Sequence, residues 1–358
     1  MVFMKKIKVS IVGVGNCASA IVQGVNYYKN RDANDSIGLT AYNLEGFEPG
    51  DIEFVSAFDV DKEKVGEDLA KAIFKAPNNT HKITDLPQIG VKVQKGPVLD
   101  GIGKYVSQTV KTDDKQPDNV ARAIQDSGAE IVISYLPVGS TAATKYYAEQ
   151  ALKAGAAFIN AMPVFIASDS SWQKKFTDAR LPVAGDDVMS QLGATVLHKA
   201  LVKLCVDRGV KVDETYQLNI GGDTDFLNMQ EESRLADKRI SKTSAVKAMT
   251  PYEVPTRIGP SDFVKFLDND KVCYIYLKGR YFGNTPVLID VKLHVVDAFN
   301  SAGIMIDAIR GTKLALERGV FGPLVSISAY CFKHPPIQMS YNDAKQAFLE
   351  FVEGKIKR

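Results

Sequence analysis

The 358-residue sequence predicts an α/β chain: a doubly wound parallel sheet, then a second α+β domain on a mixed or antiparallel sheet. Three observations predict it. Residues 8–20, KVSIVGVGNCASA, read as strand, tight glycine turn and helix. Short β-branched runs then alternate with helical stretches as far as Asp187, the pattern of parallel strands with crossover helices. After Arg208 the alternation stops, and the runs 272–277 and 287–296 follow one another with no helix between them. A strand, a glycine turn and a helix opening such a sheet make it Rossmann-like.

The opening turn carries G-x-G-x-x-A, with Gly13, Gly15 and Ala18 at the marked places. Gly13 allows the sharp turn, and Gly15 leaves the backbone bare for a pyrophosphate. Ala18 lets helix and strand pack closely. Asn16 and Cys17 open the helix, whose free N–H groups and partial positive charge face the phosphates. A polar insertion is expected over 30–51, then a strand over 52–58 ending in Asp59. A carboxylate there holds the adenosine ribose hydroxyls of NAD and repels the extra phosphate of NADP. Asp61 reads as the N-cap of a helix over 62–74.

Further on, 117–128 is a helix with proline near its start and glycine after its end. The strand 130–136 leads into the loop Pro137-Val138-Gly139-Ser140. A helix over 141–154, a strand over 157–161 containing Asn160, a helix over 168–179 and a strand over 181–185 before Asp186-Asp187 complete the alternation. Ligands of such sheets sit at the C-terminal strand ends, where Asp59, Pro137, Val138, Asn160 and Asp187 all fall. A helix over 191–208, a strand over 215–220 and helices over 301–318, 324–332 and 342–352 follow. The expected division is a cofactor domain of residues 1–197 completed by 298–358, and a catalytic and oligomer-forming domain of 198–297.

Composition excludes several classes. With 45% hydrophobic and 24% charged residues and a net charge of +2, the chain has neither the basic balance of a nucleic-acid binder nor that of a membrane-surface protein. No apolar run reaches bilayer-spanning length, and the start MVFMKKIKV leads directly into a strand rather than a signal peptide. Cys17, Cys205, Cys273 and Cys331 lie far apart, which predicts reduced thiols in a cytoplasmic protein. His81, His198, His294 and His334 are scattered, and none is expected to be catalytic.

Chemistry-bearing residues gather in the second half. Gly221-Gly222-Asp223-Thr224-Asp225 is an unusual strand end. Lys238 and Lys242, four apart, share one helix face. Beside a nicotinamide they suit binding a substrate phosphate and moving a proton, because crowding by other cations lowers a lysine's pKa. Lys333 stands before the rigid Pro335-Pro336 turn.

On these residues the chain resembles the L-myo-inositol-1-phosphate synthase family in its shorter bacterial and archaeal form. The shared motifs include IVGVGNCAS at 11–19, AFDVD at 57–61, NNT at 78–80, GPVLDGIGKY at 96–105 and SYLPVGS at 134–140. They continue with PVFIASD at 163–169, GDD at 185–187, DFLNM at 225–229, ISKTSAV at 240–246 and IGPSD at 258–262. The resemblance implies conversion of glucose 6-phosphate to inositol 1-phosphate: oxidation at C5 with NAD, enolisation at C6, attack of C6 on the C1 aldehyde, and reduction. NAD is then used but not consumed. It further implies that Lys238, Lys242 and Lys333 are active-site lysines, that Asp225 and Asn219 act beside them, and that Asp187 and Asp297 lie near the nicotinamide. A further family lysine aligns with Pro286, and Lys271 is the candidate to supply its charge. Two departures stand out: Met189 removes a cation near the cofactor, and Asp223, in place of asparagine, adds an anion near a phosphate-bearing site. Some family members use a divalent or monovalent cation, for which Asp187 and Asp297 are candidate ligands, and family members form homotetramers through the second domain's sheet. The residues also leave open an NAD-dependent dehydrogenase of another phosphorylated sugar or acid, or a non-catalytic NAD-binding homologue.

Overall fold

The computed structural model describes residues 6–29, 31 and 36–358, except the side chains of Pro260 and Ser261. Part of the insertion expected over 30–51, and the first five residues, lie outside the described residues. The elements run β1 (Ile7–Val12), α1 (Asn16–Lys29), β2 (Ile52–Asp59), α2 (Leu69–Ala72), β3 (Val93–Lys95), α3 (Val120–Ser127), β4 (Ile131–Ser134) and α4 (Thr141–Ala154). Next come β5 (Ala157–Asn160), α5 (Ser170–Asp178), β6 (Pro182–Gly185), α6 (Ala194–Asp207), β7 (Lys211–Gly221), α7 (Thr224–Asn228) and α8 (Ala236–Lys247). The chain ends with β8 (Thr256–Phe263), β9 (Asp270–Arg280), β10 (Pro286–Val296), α9 (Asp297–Glu317), β11 (Gly322–Pro323), α10 (Val325–Cys331) and α11 (Tyr341–Val352).

The first sheet has seven parallel strands in the order β11-β6-β5-β4-β1-β2-β3. From β1 the chain builds outward through β2 and β3, then returns to add β4, β5 and β6 on the other side. The order therefore reverses beside β1, and the crevice at the C-terminal ends of β1 and β4 is where such a sheet takes a ligand. Strands buried on both faces explain the β-branched runs: every residue of β4, β5 and β6 is buried. One apolar layer combines Ile7, Val9 and Ile11 with α1, α9, α10 and α11; the other combines Val12, Val132 and Phe158 with α3, α4 and α5.

The second sheet has the order β10-β9-β7-β8 and is mixed: β7 pairs antiparallel with β9 and parallel with β8. β8 has no counterpart in the sequence reading. Gly259 and Pro260 break its apolar pattern, and Pro260, which lacks an N–H, is tolerated because β8 is an edge strand with a register shift opposite Asn219 and Ile220. The helix expected over 62–74 shrinks to α2. Gly66, at φ 88°, turns the chain, and Asp68 rather than Asp61 caps the helix through Ala70 N. The helix expected from 301 begins four residues earlier, at Asp297.

α9 is the spine of the first layer. Its Arg310 is fully buried and donates to the carbonyls of Tyr42 (2.7 Å), Phe47 (3.2 Å) and Ala41 (2.8 Å), as well as to Asp307. Asp307 in turn accepts from Thr40 N at 3.1 Å, so this pair fastens the described part of the insertion to the core. Among the described residues, no helix is long and apolar enough to cross a membrane.

Candidate active site

A cavity of about 250 Å³ opens at the C-terminal ends of β1 and β4 and reaches α8. Its wall includes Gly13, Gly15, Asn16, Cys17, Asp59, Pro137, Val138, Asp187, Asp225, Lys238, Lys242, Lys271, Asp297 and Lys333. Two predicted residues lie off that wall. Asn160 is buried and donates to Asp186 Oδ1 (2.8 Å) and to the carbonyl of Met162 (3.1 Å). Asn219 is buried on β7 and donates to the carbonyl of Gly259 at 2.8 Å.

The two glycines answer to different constraints. At Gly13 (φ 89°) a Cβ would lie 2.6 Å from the Tyr135 carbonyl oxygen, so the protein itself requires glycine. At Gly15 a Cβ would meet no protein atom within 4 Å. The space it would fill belongs to the cavity. Asp59 braces this turn: Oδ2 accepts from Val14 N (2.7 Å), and Oδ1 accepts from Val60 N (2.7 Å) and Asp61 N (2.9 Å). Asn78 and Asn79 hold the turn from the other side. Asn78 Nδ2 donates to the Val14 carbonyl (3.0 Å), and Asn79 exchanges hydrogen bonds with the Asn16 side chain (2.8 and 2.9 Å). The NNT motif was the only sequence signal for them. The Tyr135 hydroxyl, buried on the wall, has no hydrogen-bond partner among the described residues. Burial pushes the Cys17 thiol up to about 12.

At the other end, four lysines and four aspartates from six parts of the chain meet. Lys238 and Lys242 project from α8, with Ser241 on the same face. Lys238 Nζ bonds Asp225 Oδ2 at 2.7 Å. Lys271 Nζ, on β9, bonds both oxygens of Asp297 at 3.0 and 3.2 Å. Lys333 Nζ bonds Asp187 Oδ1 at 2.9 Å and the Val188 carbonyl at 2.6 Å, while Ser241 Oγ donates to Asp187 Oδ2 at 2.6 Å. Lys242 is 4% exposed and makes no ion pair among the described residues. Lys271 thus stands in the cluster itself. Pro286 pairs with Arg280 at the opposite end of the β9–β10 ladder.

The electrostatics follow from this pairing. Burial disfavours the Lys238 ammonium, but Asp225 and Asp187 outweigh it and raise its pKa. Burial acts likewise on Lys271, and Asp297 outweighs it. Burial drives Lys242 well below the ordinary lysine value, and the nearby Lys238, Lys271 and Lys333 drive it further. Burial also lowers Lys333, against the pull of Asp187. Burial alone would raise the Asp187 carboxyl, but Lys333 and Lys238 hold it below its usual value. Asp223 caps α7 by accepting from Phe226 N at 3.0 Å; burial raises its pKa, and Asp225 and Asp297 add to that. Its carboxyl is therefore pushed above the usual carboxylate range, whereas those of Asp187 and Asp297 are held below it.

Met189 departs from expectation. Val188 and Ser190 line the cavity, whereas Met189 lies with Val196, Lys199 and Tyr330 around a separate small void. Val188 forms a bridge with Phe332, and in such an extended segment alternate side chains face opposite ways. The sequence departure at 189 therefore takes no cation from this wall. None of the four histidines lines the cavity.

Known proteins place this architecture. The family model of myo-inositol-1-phosphate synthase matches residues 193–298. The inositol-3-phosphate synthase of Mycobacterium tuberculosis is 50% identical over 353 residues, covering 98% of this chain and 96% of that protein. The inositol-3-phosphate synthase of Corynebacterium glutamicum is 48% identical over 355 residues, covering 97% and 98%. A myo-inositol-1-phosphate synthase-related protein from Thermotoga maritima shares the fold with a TM-score of 0.83 at 23% identity, over 97% of this chain and 98% of that one. About half the positions of this chain recur in the two bacterial synthases along nearly the whole of both partners, and the chain belongs to the myo-inositol-1-phosphate synthase family.

Proposed function

We propose that this chain is an inositol-3-phosphate synthase, converting D-glucose 6-phosphate to myo-inositol phosphate by oxidation at C5, enolisation, intramolecular aldol closure and reduction. The observation that carries the reading is the cluster of four lysines in one cavity with the glycine turn. The family is NAD-dependent, and the cavity fits that cofactor: Gly15 leaves a cradle that a Cβ would fill, and the Tyr135 hydroxyl has no hydrogen-bond partner among the described residues. Gly13, Gly15, Asn16 and Cys17 would hold its pyrophosphate, Asp59 its ribose, and Pro137 and Val138 would flank it. When bound, NAD supplies the hydride acceptor at C5 and the donor after ring closure.

The chain's own residues supply the rest. Lys242, with its depressed pKa and no carboxylate partner among the described residues, accepts the proton from C6. Lys238, kept protonated by Asp225, and Lys271, kept protonated by Asp297, face the oxyanions that develop at C5 and C1. Lys333 holds the phosphate. Asn219 acts from beneath the wall as a positioning group, as Asn160 does through Asp186. Asp187 and Asp297, the candidate cation ligands, are already paired with the ammonium groups of Lys333 and Lys271, and no group of three or more metal-ligating side chains gathers among the described residues, so the site does not fit a cation and no step is routed through one.

In this reading residues 1–197 with 298–358 carry the cofactor, and 198–297 carry the lysines and the oligomer contacts. Tyr216, Leu218, Tyr274 and Leu288 leave an exposed apolar face on the second sheet, which supports a homotetramer. The same reading makes the protein a cytoplasmic enzyme. Incubation with glucose 6-phosphate and a trace of NAD tests it: inositol phosphate forms with no lasting NADH absorbance. Steady accumulation of NADH overturns the synthase reading in favour of a dehydrogenase.

A further inference from the structure

Residues 229–235 join α7, which carries Asp225 and ends at Asn228, to α8, which carries Lys238 and Lys242. Together with Asn228 they also cross two loops of the cofactor half. Arg234 Nε donates to the Val138 carbonyl at 2.9 Å. Its Nη2 donates to the Asp100 carbonyl at 2.9 Å and to Ser140 Oγ at 3.3 Å. Asn228 Nδ2 donates to the same Val138 carbonyl at 2.8 Å, and Glu231 Oε2 accepts from Lys104 N at 2.7 Å. Two glycines make room for this clasp. A Cβ on Gly139 would lie 2.6 Å from Arg234 Cβ, and a Cβ on Gly103 would lie 2.6 Å from Glu231 Oε2.

The bridged loops are cavity wall. Val98, Gly101 and Ile102 line it from one loop, and Pro137 and Val138 from the other. One planar guanidinium thus holds two separate backbone segments of the cofactor cradle at once, a geometry that a lysine ammonium cannot copy. One residue after Arg234, Leu235 is buried in the first sheet's apolar layer beside Val138 and Met229, and α8 begins at the next position. A cofactor that fixes the two loops also fixes the acceptors of Arg234, and through it the start of the lysine helix.

We propose that Arg234 is a positioning residue that couples occupancy of the cofactor cavity to the placement of Lys238 and Lys242. The inference rests on the function proposed above. By linkage, the coupling raises substrate affinity when the cofactor is bound.

NADH cannot accept a hydride, so glucose 6-phosphate binds its complex without turnover. Titration calorimetry of glucose 6-phosphate, with and without saturating NADH, reads the coupling directly. In the unsubstituted protein NADH tightens glucose 6-phosphate by about 10-fold or more. In Arg234→Met the ratio falls to roughly 2-fold while the affinity without NADH is unchanged, and Arg234→Lys lies between. Buried Leu235, Met229 and Phe226 keep the segment docked in both variants, and a cooperative thermal melt checks this. Should Arg234→Met fail to fold, the Arg234→Lys ratio decides. An unaltered ratio in the variants, no coupling in the unsubstituted protein, or equal weakening with and without NADH each overturns the proposal. A protein that shows the coupling yet forms no inositol phosphate overturns the functional reading and leaves the coupling standing.

Discussion

Replacing Lys242 by methionine separates what the fold prefers from what the reaction needs. The ammonium is almost fully buried and has no ion pair among the described residues. Lys238, Lys271 and Lys333 all disfavour its charge, against a smaller pull from Asp187. Methionine nearly matches its length and carries no charge. Exchanging poorly compensated buried charge for packed apolar atoms stabilises by about 1–4 kcal/mol. At about 2 °C per kcal/mol, that is a rise in Tm of roughly 2–8 °C. In its proposed role as proton acceptor, loss of Lys242 lowers turnover of glucose 6-phosphate by about 10²–10⁴-fold. The gain also has a pH signature. Because the folded pKa lies below the unfolded one, the unfolded chain binds more protons between the two values, and stability of the unsubstituted protein rises with pH across that window. The cost of Lys242 is full below its folded pKa and vanishes above the ordinary lysine value of 10.5. Melting curves of both proteins at pH 6, 8 and 10 should converge as pH rises, by about the whole gain. A methionine variant that is less stable at pH 7, holds a constant gain to pH 10, or keeps near-normal turnover refutes the reasoning.

Two further perturbations probe the scaffold. Gly15→Ala should melt within about 0.5 kcal/mol of the unsubstituted protein yet bind NADH at least about 10-fold more weakly, whereas Gly13→Ala should lose about 1–3 kcal/mol in urea titrations as its Cβ meets the Tyr135 carbonyl. Arg310→Met should cost about 3–5 kcal/mol in the same titration, because it leaves the buried Asp307 carboxylate without its charge partner and takes the guanidinium donor from the Tyr42 and Ala41 carbonyls.

Much of this site is legible in the sequence because its signals are local. The turn at Gly13 and Gly15, the carboxylate closing β2, and two lysines one helical turn apart need no knowledge of distant contacts. What stayed out of view, or was read otherwise, shares the opposite property. That Lys333 pairs with Asp187, 146 residues away, is a product of tertiary packing. So is the bridge between Val188 and Phe332 that turns Met189 away from the cavity. β8 stayed hidden because glycine and proline interrupt its pattern, and only its place at the sheet's edge makes them acceptable. The helix expected over 62–74 failed at Gly66, whose positive φ answers to the N–H that it donates to Val93 on β3, at 2.8 Å. Arg234 showed no signal, since its two shortest bonds go to backbone carbonyls, which any sequence possesses.

The pairing of Lys238, Lys271 and Lys333 with aspartates bears on how the enzyme lets go. A cluster of bare cations would grip a sugar phosphate and give it up slowly. Here each of those ammonium groups has an internal anion beside it, a tethered surrogate for the ligand. In the proposed roles, as the product's phosphate leaves Lys333 and its ring oxygens leave Lys238 and Lys271, the same carboxylates remain beside the three ammonium groups. The charge balance of the cavity then changes little between its filled and emptied states, so strong contacts during the reaction need not mean a long residence afterwards.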